Sequence, residues 1–246
     1  MFRPPFCYNK RNMFIFSKRG GVMRAWHKEA EKQWDERAEW WHQSSEEMWE
    51  RGSRKTIIPF VTTYMPKEGY IADIGCGDGY GSYKLCQQGY RVIGLDLSSE
   101  MIELAKKRRT HEHLHFQQAD IMNLPFPDET FTGAMIINCF EWTERPLAAL
   151  EEVRRVLKTN AYVCVGILGP TAAPRVNSYR RLYDEAVICN TMMPWEFEQL
   201  AKENGFTLVA QEGVYKRGVD ASLFQQLSTE LKQAVSFMWL FMLQKK

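Results

Sequence analysis

The segment Asp73-Ile74-Gly75-Cys76-Gly77-Asp78-Gly79-Tyr80-Gly81 concentrates the residue types best suited to holding a ligand. Glycine takes positive φ at little cost and lets a bound group come close to the backbone. Four glycines at alternate positions exceed what an ordinary strand-to-helix turn requires. The dinucleotide spacing G-x-G-x-x-G is not met. Counted from Gly75 its third glycine falls on Tyr80, and counted from Gly77 it falls on Ser82. Asp73, two residues before the first glycine, is a poor neighbour for an anionic pyrophosphate. It suits a ligand with a cationic amino group, so the loop reads as a site for a nucleoside carrying an amino acid.

Other clusters carry less. His111-x-His113-x-His115 has metal-like spacing, but no carboxylate or cysteine set accompanies it and it stands at the entry to a strand. No metal is expected. The six cysteines, Cys7, Cys76, Cys86, Cys139, Cys164 and Cys189, form no C-x-x-C pair and read as reduced thiols.

The elements that must position the loop follow from hydrophobic periodicity. Arg24–Trp41 and Ser45–Tyr64 read as helices rich in charge and tryptophan. From Tyr70 the pattern alternates strand and helix. Strands are expected at Tyr70–Ile74, Arg91–Leu95, His113–Gln117, Phe131–Asn138, Ala161–Leu168, Phe206–Val214 and Ser236–Leu243. Helices are expected at Tyr80–Gln88 (stopped by Gly89), from Ser98 or Ser99 to Arg109, and over Glu144–Lys158, Arg175–Ile188 and Trp195–Asn204. Such alternation implies an α/β doubly wound sheet, largely parallel, with its crevice at the carboxyl ends of the strands. The last two strands are expected to pair antiparallel.

Asp73-x-Gly75-x-Gly77-x-Gly79 resembles motif I of the class I S-adenosylmethionine-dependent methyltransferases, and Cys76 lies within it. Asp96, at the end of the second strand and 17 residues after Gly79, resembles the acid that accepts both ribose hydroxyls in that family. Leu97 and Met101 resemble its adenine sandwich, and Asp120-Ile121 its adenine clamp. Asn138 stands where the fourth strand faces the methionine moiety. The turn Leu157-Lys158-Thr159-Asn160-Ala161 lacks the Pro and Gly that many members carry there. The likeness is strongest to ubiquinone and menaquinone biosynthesis enzymes. It implies a Rossmann-like seven-stranded sheet of order 3-2-1-4-5-7-6 with strand 7 antiparallel. It also implies S-adenosylmethionine as cofactor, S-adenosylhomocysteine as product, and N-terminal helices closing over the mouth.

The acceptor is expected to be a small molecule attacked at an O, N or C nucleophile. The proline-containing tetrad of exocyclic-amine nucleic-acid enzymes is replaced by Asn138-Cys139-Phe140-Glu141, and there is no Pro-Cys nucleophile. A sulfonium methyl demands proximity and desolvation more than a strong base. Should a base be needed, Glu141 and His42 are the candidates. Trp41, Trp49, Phe140 and Tyr179 are expected to face lid and acceptor. An NAD-dependent oxidoreductase and a non-catalytic cofactor-binding or partner module are the competing readings.

Composition agrees with a soluble globular chain: 246 residues, 45% hydrophobic, net charge +2. No charge excess advertises a nucleic-acid track, and no apolar run reaches the ~18 residues of a membrane span. A cytoplasmic monomer or homodimer is expected. Residues 1–22 hold five basic residues and no acid, so without them the net charge of +2 becomes −3. Lys18–Met23 can be encoded like a bacterial ribosome-binding site before a start codon. The expected division is thus a leader at 1–22, a helical lid at 23–66 and a methyltransferase domain at 67–246.

Overall fold

The computed structural model describes residues 21–108 and 111–246. The expected leader lies outside them, apart from its last two residues, which open the first helix. Seven strands form one sheet of order β3-β2-β1-β4-β5-β7-β6. They are β1 (Tyr70–Ile74), β2 (Arg91–Asp96), β3 (Leu114–Gln118), β4 (Phe131–Ile137), β5 (Leu157–Leu168), β6 (Phe206–Val214) and β7 (Met238–Lys245). β1 to β5 run parallel, and β7 lies antiparallel to both β5 and β6. This is the expected order and sense.

The central strands are apolar runs because both faces are covered. On one face Ala134, Ile136, Val163 and Val165 pack with α6 (Pro146–Val156) and α7 (Pro194–Glu203), through Leu150, Val153 and Phe197. On the other, the intervening Met135, Ile137 and Cys164 meet α3 (Ile57–Tyr64) and α4 (Tyr80–Gln87), through Ile57, Val61 and Leu85. Gly89 and Gly205, at φ +89° and +87°, end α4 and α7 as read from the sequence. Ser98 caps α5 (Ser99–Arg108), its Oγ accepting from Met101 N at 3.1 Å.

The helical expectations need correction in several places. The two N-terminal helices are three: α1 (Gly21–Asp35), α2 (Ala38–Glu50) and α3. α1 stops where Asp35 turns its carboxylate to Ser98 Oγ (2.6 Å) and Glu100 N (3.2 Å) on α5. α2 stops in a wide turn that returns Arg54 N to Met48 O at 2.9 Å. The helix expected over 175–188 is a 3-10 segment, Ala173–Tyr183, followed by extended chain. Arg175 explains this: its guanidinium donates to Leu168 O, Gly169 O (2.8 Å), Thr191 O (3.1 Å) and Met192 O (2.7 Å). It pins both ends of the excursion to the tip of β5. Finally, α6 is shorter than expected, because Leu157 already pairs with Phe131 in the sheet, and α8 (Thr229–Ala234) separates β6 from β7.

Candidate cofactor cleft

Parallel strands end on one edge, so the residues after β1, β2, β3 and β4 meet there. A cleft with about 790 Å³ of empty space, counting its open mouth, lies across these ends. Gly75 and Gly77 form its floor, at φ +75° and +57°. Gly75 N and Cys76 N both donate to Leu95 O, at 2.7 and 3.0 Å, which locks the turn onto β2. Gly77 N donates to Asp96 Oδ2 at 2.8 Å, and Ser98 N donates to Asp96 Oδ1 at 2.9 Å. Each oxygen keeps a lone pair beyond these bonds. Burial pushes the Asp96 carboxyl up to about 6, and those two N–H donors oppose the shift. It is therefore mainly ionised at pH 7.

Leu97, Met101, Asp120 and Ile121 line one wall, and Asn138 the other. Asn138 ends β4 at φ +54°, a left-handed conformation that Asn tolerates better than most residues. Of the remaining motif residues, Asp73, Cys76 and Gly79 do not line the cleft. Asp73 is buried beneath the turn, where Ser82 Oγ donates to it at 2.5 Å and burial pushes it up to about 7. Cys76 is a buried thiol. Gly79, at φ +76°, is a packing glycine: a Cβ there would stand 2.5 Å from the Phe116 ring. Gly81 makes the same room for Trp49.

The lid expectation divides similarly. Trp41 lines the cleft, its Nε1 only 2.9 Å from where a Cβ on Gly77 would be. Trp34 meets Trp41 and Trp142 edge-on, with centroids 5.9 and 5.2 Å apart, so three tryptophans wall the same end. Trp49 is buried behind them, Phe140 packs in the core on Phe197, and Tyr179 is exposed on the 3-10 segment. Neither base candidate faces the cleft. Glu141 is fully buried, pushed up by burial, and accepts from Leu168 N at 2.5 Å. His42 is buried on Asp78, Nδ1 to Oδ2 at 2.7 Å, while Ser45 Oγ donates to Asp78 Oδ1 at 2.7 Å. The pair ties α2 to the glycine loop. Cys139 lines the cleft, but burial holds its thiol well above the usual range, so it stays protonated.

Sequence reasoning places Arg54 in the lid without a ligand role, and it missed the α1 face. Arg54 lies over Trp41 (4.7 Å) and Trp49 (5.4 Å), and Nη2 donates to Asn138 Oδ1 at 3.5 Å. Burial lowers it to about 10, with Asp73, Asp78 and Glu141 opposing, so it remains a cation. Trp26, His27, Ala30 and Trp34 of α1 also line the cleft. Their signal was a helical i, i+3/i+4, i+7/i+8 stripe, which marks a covered face without naming what it covers.

Residues 72–165 match the family model described as a methyltransferase domain. This stretch is a class I methyltransferase domain. It runs from β1 into β5 and contains the glycine turn, Asp96, Asp120 and Asn138. The chain is 29% identical to the biotin biosynthesis bifunctional protein BioHC of Teredinibacter turnerae, over 57% of its own length and 27% of that protein's. It is 30% identical to the demethylmenaquinone methyltransferase of Clavibacter sepedonicus, over 48% of each. The matched part thus spans between about a quarter and a half of these curated relatives. In structure it resembles a chain of the complex between the Haloferax volcanii Trm112 methyltransferase activator and a methyltransferase. The TM-score is 0.67 and the identity 20%, covering 88% of this chain and 96% of that one. At that identity the likeness is one of fold. The cofactor of the methyltransferase domain is S-adenosylmethionine, and the cleft fits it chemically. An acid with unused lone pairs stands at the end of β2, acceptor-only Asp120 on one wall, and a buried cation at the other end.

Among the described residues no helix is long and apolar enough to cross a membrane, and no group of three His, Cys, Asp or Glu is placed to hold a metal. His111 instead meets Cys86, Nδ1 to Sγ at 3.2 Å.

Proposed function

We propose that the chain methylates a small-molecule acceptor at an O, N or C nucleophile. The observation that carries this is the Gly75–Gly77 turn bonded to Asp96, set between Asp120 and the Arg54–tryptophan end of one cleft. The bound cofactor supplies a methyl group on a sulfonium, already activated for displacement. The protein's own residues bind and shield. Asp96 takes the ribose hydroxyls through its remaining lone pairs. Leu97, Met101 and Ile121 hold the purine, and Asp120 accepts from its amino group. Arg54 and Asn138 take the amino-acid end, with Arg54 receiving the carboxylate. Trp34, Trp41 and Trp142 exclude water at the methyl-bearing end and favour a cation by cation–π attraction.

With Glu141 and His42 turned away from the cleft, these two do not remove a proton from the acceptor. Residues 23–66 act as the lid and 67–246 as the catalytic domain, in a bacterial, cytoplasmic protein acting as a monomer or homodimer. A screen with methyl-labelled S-adenosylmethionine and metabolite extracts tests the reading. Label in a small organic product supports it. Label in no product, with cofactor binding intact, supports a non-catalytic module instead.

A further inference from the structure

Helix α1 is tied across the cleft mouth by several polar contacts. Trp26 Nε1 donates to Trp142 O at 2.9 Å, Gln118 Nε2 donates to Glu31 Oε1 at 2.9 Å, and Asp35 takes Ser98 and Glu100. One further tie joins two polar side chains that both line the cleft. His27 Nδ1 lies 2.6 Å from Asp120 Oδ2, and the two side chains are 25% and 27% exposed. They are covered enough for the bond to be strong, yet open enough for a ligand to reach them.

An ionised carboxylate only accepts, so the imidazole Nδ1–H is the donor. The other oxygen, Oδ1, accepts from Met122 N at 2.9 Å. Asp120 is therefore held at both oxygens, by backbone on one side and by a lid side chain on the other. The terminal torsion of an aspartate is otherwise broad. Two donors in fixed places set the plane of the carboxylate and leave about one lone pair on each oxygen for the cleft. Such a group reads an N–H donor and repels a carbonyl oxygen.

We infer that His27 is a positioning residue that fixes Asp120 to select an amino over an oxo group on the bound purine. This rests on the reading of the cleft as an S-adenosylmethionine site. The prediction concerns discrimination, not affinity alone. A helix tie that merely closes the lid affects every cofactor analogue alike. A residue that orients Asp120 affects the amino-bearing ligand more.

The test titrates the full chain with S-adenosylhomocysteine and its 6-oxo analogue, S-inosylhomocysteine. Wild type is expected to prefer the amino compound by about 10- to 100-fold, the span of one hydrogen bond to a charged acceptor. His27→Ala is expected to shrink that ratio about tenfold, and His27→Gln, which keeps an N–H donor, to retain most of it. In an Asp120→Ala background His27→Ala should no longer change the ratio. An unchanged ratio in His27→Ala, with both affinities moving in parallel, overturns the inference. So does a wild type that does not discriminate. If wild type binds neither compound, the S-adenosylmethionine reading itself fails, and this inference with it.

Discussion

Replacing Gly77 and Gly79 separately by alanine asks whether two glycines two residues apart do different work. Both sit in the left-handed region, at φ +57° and +76°, where an L-residue costs about 1–2 kcal/mol. Beyond that their surroundings diverge. A Cβ on Gly77 would stand 2.9 Å from Trp41 Nε1 and 3.6 Å from two further atoms of that ring, at the floor of the cleft. The indole can yield by a few tenths of an ångström, but the methyl then occupies ligand space. A Cβ on Gly79 would stand 2.5 and 2.6 Å from Phe116 and 2.9 Å from Ala105 Cβ, away from the cleft. Overpacking of that kind adds about 1–3 kcal/mol.

Gly77→Ala should therefore lose about 1–2 kcal/mol of stability and at least about tenfold in affinity for S-adenosylhomocysteine. Gly79→Ala should lose about 2–5 kcal/mol of stability, with a dissociation constant for the folded fraction within a few fold of wild type. At about 2–4 °C per kcal/mol for a chain of this size, thermal unfolding separates the pair, and calorimetric titration reads affinity. If Gly77→Ala binds as wild type does, or if the two variants weaken binding equally, the division of labour is wrong.

Three further perturbations probe charged groups. Glu141→Gln should keep both fold and turnover, since Gln can still accept from Leu168 N, whereas Glu141→Ala strands that N–H and should cost about 1–3 kcal/mol. A hundredfold fall in kcat for the Gln variant would restore Glu141 as a base. Arg54→Leu should lower affinity for S-adenosylmethionine about 10- to 100-fold, as loss of a charged hydrogen bond does, while leaving decarboxylated S-adenosylmethionine almost unaffected. Equal losses for both would place the carboxylate elsewhere. Asp73 has a folded pKa of about 7 against an ordinary 3.8, so the native state binds its proton more tightly. Stability from this group is full below pH 4 and falls as pH rises through 7, by about 4 kcal/mol. Asp73→Asn should remove that slope; parallel stability curves for variant and wild type would refute the burial argument.

The sheet was legible because apolar runs of strand length, broken by Gly89 and Gly205, survive into the structure almost unshifted. Helix breaks were less legible because distant contacts set them: Asp35 bonds α5, and Arg175 gathers carbonyls from both ends of a loop. In the cleft, Gly75, Gly77, Asp96 and Asp120 are marked by their offsets from strand ends. Asp73 and Gly79 share the motif but face the packing beneath it, and spacing alone does not tell the two faces of a turn apart. His27, on α1, and Arg54, in the turn between α2 and α3, reach the cleft from outside any motif. Their roles depend on where α1 and α2 dock, which periodicity leaves open. Glu141 and His42 have the right chemistry for bases, and only their burial shows that each is engaged elsewhere.

The most direct test of the central claim is calorimetric titration of wild type and Asp96→Ala with S-adenosylmethionine, S-adenosylhomocysteine and NAD. Both oxygens of Asp96 are already oriented by Gly77 N and Ser98 N, so each can accept one ribose hydroxyl at about 1.5–3 kcal/mol. The account predicts saturable binding of both adenosyl compounds, none of NAD, and at least a hundredfold loss in Asp96→Ala. Preferential binding of NAD, or an unchanged dissociation constant in Asp96→Ala, would contradict it.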